Sequence, residues 1–199
     1  MQVAKIRNKV KHLYNKYRKI VITRFHSMRG TSDKNRWSKK KSLFESWDER
    51  TQLLANEVQP NSRVIEFGAA RLVLEKMLPE GCTYYNSDIV KRDNSTIVLD
   101  LNIELPVIES VDYVIFSGVL EYIYKVERLL KHLSSYTDCI VFSYATTDMF
   151  PDNKVRHYNG WVSDLSLEQI KSIGTDLGWY CEIIGTWKNQ TLFKFSKGL

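Results

Sequence analysis

The stretch that most constrains the fold is residues 62–71, Ser-Arg-Val-Ile-Glu-Phe-Gly-Ala-Ala-Arg. Val64 and Ile65 read as a short apolar strand, Glu66 as the acid at its end, Gly68 as a turn, and Ala69 and Ala70 as the opening of a helix. A strand, a small-residue turn and a helix in that order place free backbone N–H groups at the carboxyl edge of a sheet. That edge is where α/β proteins hold nucleotide-like ligands.

Downstream, the pattern predicts a helix over 72–78, stopped by Pro79, Glu80 and Gly81. A β-branched and aromatic strand over 83–89 ends near Asp88, and 91–95 is too short for a full crossover helix. A third strand, 96–101, contains Asp100. Residues 111–117 are almost all apolar after Asp112, as in a central strand buried on both faces. That strand leads through Gly118 into a helix carrying Val119, Leu120, Ile123, Val126, Leu129, Leu130 and Leu133. A fifth strand (139–144) is followed by a long loop, 145–164, and loops of that length are usually functional. Ser166 caps a helix closed by Gly178, and strands over 179–186 and 191–195 have hairpin spacing, so the last is expected to be antiparallel. The fold class is therefore α/β, a mostly parallel sheet with helices on both faces. Ahead of it, Leu43, Phe44, Trp47, Leu53, Leu54 and Val58 form the apolar face of a helix that covers one side of the sheet or ligand.

Charge divides the chain in two. Residues 1–41 carry 14 Lys or Arg and the single acid Asp33, for +13, while 42–199 carry −7. The expected organisation is a basic arm and linker (1–41) on an acidic body (42–199). Val3, Ile6, Val10, Leu13, Tyr14, Tyr17, Ile20 and Val21 recur at helical spacing, predicting an amphipathic helix from about 3 to 24. Three uses fit it: an anionic membrane surface, RNA phosphates, or packing on the body or a second subunit. Residues 27–41 read as a flexible linker that orders against a partner. No run of about 18 apolar residues is present, so no membrane-spanning helix is expected. The N-terminus lacks the apolar core of a secretory signal, and Cys82, Cys139 and Cys181 lack metal-ligand spacing. A cytoplasmic protein without a metal is expected, one that the arm could hold at the inner face of the membrane.

In a parallel sheet the carboxyl ends of the strands share one edge, so Glu66, Asp88, Asp100, Ser117 and Gly118 should converge. Acids suit a ligand rich in hydroxyl and amino donors and do not suit a pyrophosphate.

From about residue 45 onward these motifs resemble the class I S-adenosylmethionine-dependent methyltransferases: Glu-Phe-Gly-Ala-Ala-Arg at 66–71, Asn-Ser-Asp-Ile at 86–89, Leu-Asp-Leu-Asn at 99–102 and Phe-Ser-Gly-Val-Leu-Glu-Tyr-Ile at 116–123. The resemblance implies a Rossmann-like seven-stranded sheet with S-adenosyl-L-methionine as cofactor. By the same resemblance Glu66 and Gly68 face the methionine end beside Ala70, Asp88 takes the ribose hydroxyls, Asp100 and Leu101 edge the adenine, and Ser117 and Gly118 line the methionine side. The family's usual turn is acid-x-Gly-x-Gly-x-Gly, and here Ala70 and Leu72 stand at the second and third glycines.

The Leu120-Glu121-Tyr122-Ile123 run more closely resembles the small-molecule O-methyltransferases, which implies a sugar, glycan precursor or other small polar acceptor. His157 in the long loop is the candidate base, with Tyr122, Arg156 and Tyr158 as acceptor contacts. Two alternatives stand beside this reading: an RNA methyltransferase gripping phosphates with the arm, and a non-catalytic scaffold of the same fold.

Overall fold

A computed structural model describes residues 2–198 of the 199-residue chain; Val3 and Ile6 of the expected stripe have side chains outside those described. Seven strands form one sheet: β1 (Arg63–Phe67), β2 (Thr83–Asp88), β3 (Ile97–Val98), β4 (Tyr113–Phe116), β5 (Cys139–Tyr144), β6 (Trp179–Trp187) and β7 (Gln190–Lys197). Their order is β3-β2-β1-β4-β5-β7-β6. Strands β1 to β5 pair in parallel, and β7 runs antiparallel between β5 and β6, leaving six strands in one direction and one reversed. The Rossmann-like α/β sheet with an antiparallel last strand is thus present.

The period-two alternation of the strands sorts the core onto two faces. Ile65, Phe67, Val114, Phe116, Ile140 and Phe142 meet helices α4 (Val126–Leu133) and α6 (Leu167–Asp176). On the other face Val64, Ile115 and Val141 meet α3 (Asp48–Ala55) and Leu74. Phe142 stacks on Phe193 at 5.0 Å and Phe67 on Phe116 at 5.3 Å. Each such buried side chain contributes about 1.5–3 kcal/mol.

Several elements are shorter than the sequence implied. The helix expected over 72–78 is only a 3₁₀ turn, Leu74–Met77. The helix after β4 is interrupted: a 3₁₀ turn, Leu120–Tyr122, precedes α4. The third strand keeps two residues because Asp93 accepts from Ser95 N–H, Ser95 Oγ and Thr96 Oγ1, folding 93–96 into a tight turn that delays its entry. Before α3 the chain makes two 3₁₀ turns, Lys40–Ser42 and Glu45–Trp47, instead of one long helix.

The arm departs most from expectation. Helix α1 (Gln2–Arg29) extends five residues past the expected end and packs on α5 (Asn153–Asn159), which lies inside the segment read as a loop. The segment read as a flexible linker forms α2 (Lys34–Trp37), N-capped by Asp33, and orders against the chain's own body. Ser32 Oγ donates to Asp100 Oδ1 at 2.7 Å, Tyr124 donates its hydroxyl to the Thr31 carbonyl at 3.1 Å, and the Trp37 ring meets Tyr122 edge-on at 4.9 Å.

Arg156 is corrected from acceptor contact to core residue. It is fully buried, ion-paired to Asp164, and donates to the carbonyls of Ala145 (2.8 Å) and Ser163 (2.7 Å). Unlike Arg50, Arg156 does not line the cavity at the carboxyl edge of the sheet, so it is not placed to meet a ligand there. Replacing Arg156 with Ala should therefore cost about 3–5 kcal/mol of stability, visible as a lower thermal midpoint, and leave cofactor affinity of the folded fraction unchanged.

Candidate active site

At the carboxyl edge of the sheet, Glu66, Gly68, Ala70, Asp88, Asp100, Leu101, Ser117, Gly118 and Tyr122 line a single cavity. The turn after β1 departs from the expected shape. Gly68, Ala70 and Leu72 all have positive φ (77°, 44° and 57°), so the glycine conformation persists at two positions that have lost glycine. Each non-glycine residue in that region stores about 1–2 kcal/mol of strain. The turn is held against it by β2: Gly68 and Ala69 N–H donate to the Ser87 carbonyl (2.7 and 3.1 Å), and Ala70 N–H donates to Asp88 Oδ2 (2.9 Å). Because the chain then bends at Leu72 instead of winding up, the alanines open no helix.

Gly68 and Gly118 need to be glycine. A Cβ on Gly68 would lie 2.4 Å from Val119 Cγ2, and one on Gly118 would lie 2.4 Å from the Arg50 guanidinium. Arg50 itself is buried. It donates to Ser117 Oγ (3.1 Å), the Ser117 carbonyl (2.9 Å) and Gln190 Oε1 (2.8 Å), and lies 5.7 Å from the Trp47 ring and 5.2 Å from the Trp187 ring. Burial lowers its pKa from the ordinary value, against the charges of Glu121, Tyr122 and Glu66. Among the described residues no carboxylate lies within ion-pair distance of Arg50.

The acids differ in their surroundings. Glu66 is buried and accepts the Tyr84 hydroxyl at 2.6 Å. Burial pushes its carboxyl up to about 7; the Tyr84 hydrogen bond pulls it down, the Asp88 charge raises it again and Arg50 lowers it. Asp88 is fully engaged: Oδ2 takes Ala70 N–H, while Oδ1 takes Val90 N–H (3.0 Å) and the Arg92 guanidinium (3.0 Å). Arg92 in turn donates to the Trp37 carbonyl at 3.0 Å, tying α2 to the strand end. Asp100 Oδ1 accepts Asn102 N–H (3.0 Å) together with Ser32.

His157 and Tyr158 lie outside this cavity. Helix α5 turns them toward the arm, where Thr23 Oγ1 donates to the His157 carbonyl (2.8 Å) and Lys19 sits 4.6 Å over the Tyr158 ring. The histidine that does line the cavity is His26, its Nδ1 at 2.9 Å from Thr31 Oγ1 and its Nε2 at 3.9 Å from Asp33. Sequence reasoning did not single out His26, Arg36, Trp37, Arg50 or Arg92 as site residues. Two signals were available. Arg92 stands four residues after Asp88, and Arg50 interrupts the apolar spacing of Trp47 and Leu54. Among the described residues no cluster of three metal-ligating side chains is found.

Two outcomes follow from the geometry. Replacing Ala70 with Gly should raise stability by about 0.5–1 kcal/mol, relief of strain exceeding the added chain entropy, as read by chemical denaturation. For Glu66, the folded value of about 7 exceeds the ordinary 4.5, so between those pH values the folded chain keeps a proton that the unfolded chain releases. Stability therefore falls as pH rises through that window. Glu66→Gln should be more stable than the parent above pH 7, by up to about 3 kcal/mol, with the difference vanishing below about pH 4.5, where both forms are neutral; denaturation at several pH values reads it.

A methyltransferase-domain family model matches residues 40–183. No curated protein matches the chain in sequence. Among solved structures, a candidate O-methyltransferase of Nostoc punctiforme superposes with TM-score 0.64 at 14% identity, covering 81% of this chain and 60% of its own. The 1,6-didemethyltoxoflavin-N1-methyltransferase of Burkholderia thailandensis, solved with its substrate and S-adenosylhomocysteine, gives 0.57 at 12%, covering 78% and 79%. Human N-acetylserotonin methyltransferase, in complex with S-adenosylmethionine, gives 0.59 at 15%, covering 82% and 56%. The chain thus spans about three-fifths of the first and third of these proteins and most of the second, a likeness that establishes the fold. With the family model covering well over half of its length, the chain belongs to the methyltransferase-domain family.

Proposed function

We propose that this protein transfers the methyl group of S-adenosylmethionine to an oxygen of a sugar, a glycan precursor or another small polar acceptor. The observation that carries the reading is the convergence of Glu66, Asp88, Asp100, Ser117 and Gly118, from four successive strand ends, on one cavity. The donor set fits the cofactor group by group. Arg50 is a buried cation for the methionyl carboxylate, Glu66 is a carboxyl that an ammonium would ionise, Asp88 is an acceptor for ribose hydroxyls, and Asp100 with Leu101 borders the adenine. The ribose hydroxyls would take the place of the Arg92 guanidinium on Asp88.

The cofactor brings an activated methyl sulfonium, so the protein's main task is to hold the acceptor in line with it and keep water out. Trp37, Trp47, Phe44 and Tyr122 wall the cavity on the arm side, which favours a small acceptor over a polymer laid across the surface. An oxygen acceptor also has to lose a proton, and His26, oriented by Thr31 and Asp33, replaces His157 as the proposed base.

Calorimetric titration with S-adenosylmethionine and S-adenosylhomocysteine tests the cofactor site. Wild type should bind both, and Asp88→Ala and Asp100→Asn should each weaken binding by about tenfold or more, with melting curves confirming that the variants are folded. Near pH 7 binding should release a proton as Glu66 ionises, seen as a heat that changes with the buffer's ionisation enthalpy. Absence of binding by the folded wild type would overturn the proposal. In transfer of labelled methyl to a panel of sugars and small alcohols, His26→Ala should slow turnover by about 10²–10⁴-fold at unchanged cofactor affinity; unchanged turnover would exclude His26 as base.

A further inference from the structure

Helix α1 meets the body through one side only. Ile20 and Thr23 are buried, and every described side chain from Arg7 to Lys19 is exposed, so the N-terminal half of the helix projects from the domain. On the side away from Thr23, at about 100° per residue, Val10, Tyr14, Tyr17, Val21, Phe25 and Met28 fall in a single stripe. All six are between 50 and 88% exposed. The stripe is bordered by exposed Lys11, Arg18 and Arg29 on one flank and Arg24 on the other. Helix α1 carries nine basic residues and no acidic one, whereas the body is net negative.

We propose that α1 is a docking helix for an anionic lipid surface, its apolar stripe entering the boundary of headgroups and acyl chains and its Lys and Arg residues meeting lipid phosphates. Three observations select this occupant. An apolar stripe with three aromatic rings, flanked by cations, matches the layered chemistry of a bilayer interface. Pairing of two copies along the stripe would bring nine positive charges against nine with no acid on either helix to compensate. Nucleic-acid phosphates would account for the cations and leave the stripe in water. Among the described residues no helix is long and apolar enough to cross a membrane, so the contact is peripheral. The inference goes beyond the methyl-transfer reading and does not depend on it.

The test is co-sedimentation of the full chain with vesicles of phosphatidylcholine alone or mixed with phosphatidylglycerol, for wild type and for Tyr17→Glu/Val21→Glu. Both positions are more than 60% exposed and outside the cavity, so the variant should keep the wild-type melting temperature and cofactor affinity. Wild type should bind the phosphatidylglycerol vesicles and not pure phosphatidylcholine, and the variant should bind about tenfold more weakly or worse. The proposal would be overturned by no binding to anionic vesicles, by equal binding of the variant, or by a wild-type dimer in analytical ultracentrifugation that the variant converts to monomer. Binding to single-stranded RNA that outcompetes the vesicles and survives the variant would also overturn it and make the arm a nucleic-acid grip.

Discussion

The Asp88 carboxylate is the interaction on which the rest of the site depends. It accepts the Ala70 N–H of the strained turn, the Val90 N–H that ends β2, and the Arg92 guanidinium that reaches the Trp37 carbonyl. One buried anion therefore joins the β1 turn, the β2 end and the segment following the arm. Charge-assisted hydrogen bonds of this kind are the stronger ones, which explains how the turn keeps a left-handed Ala70 and Leu72 that glycine would adopt without strain. If ribose hydroxyls take over the place of Arg92, cofactor binding and the hold on α2 are exchanged through the same carboxylate.

Behind the cavity a second polar chain runs through the interior. Arg50 donates to Gln190, Gln190 donates to Glu121 Oε1 (3.0 Å), Glu121 also accepts the Ala145 N–H (2.9 Å), and Arg156 donates to the Ala145 carbonyl. Burial raises the Glu121 carboxyl above the usual carboxylate range, and its second oxygen has no partner among the described residues. Such a network is costly unless satisfied. Gln190 holds Arg50 from within this network, and Arg50 and Ser117 both line the cavity.

Much of the fold was legible because strand-level signals are local. The apolar runs around Val64, Val114 and Val141 and the hairpin around Asn189 announce themselves within a few residues, and the strand-end acids follow from the common direction of the strands. What was not legible depends on contacts distant in sequence. A polar stretch with Gly30 and a lysine run reads as linker until Ser32 meets Asp100 and Trp37 meets Tyr122. His26 could not be placed at the cavity before α1 was seen to dock on α5, and the same docking draws His157 and Tyr158 away from it. Arg156 misled for a related reason: a charged residue in a long irregular segment looks solvent-facing, and only Asp164 and two carbonyls explain its burial.

The central proposal is that the strand-end carboxylates form the cofactor site, with ribose hydroxyls taking the place of Arg92 on Asp88. A crystal structure of the protein with S-adenosylhomocysteine tests it directly. The expected result is the ribose hydroxyls on Asp88, the guanidinium of Arg92 moved off that carboxylate, and the methionyl group between Glu66 and Arg50. The nucleoside bound elsewhere, or in this cavity with the Asp88 and Arg92 pair intact, would contradict the account.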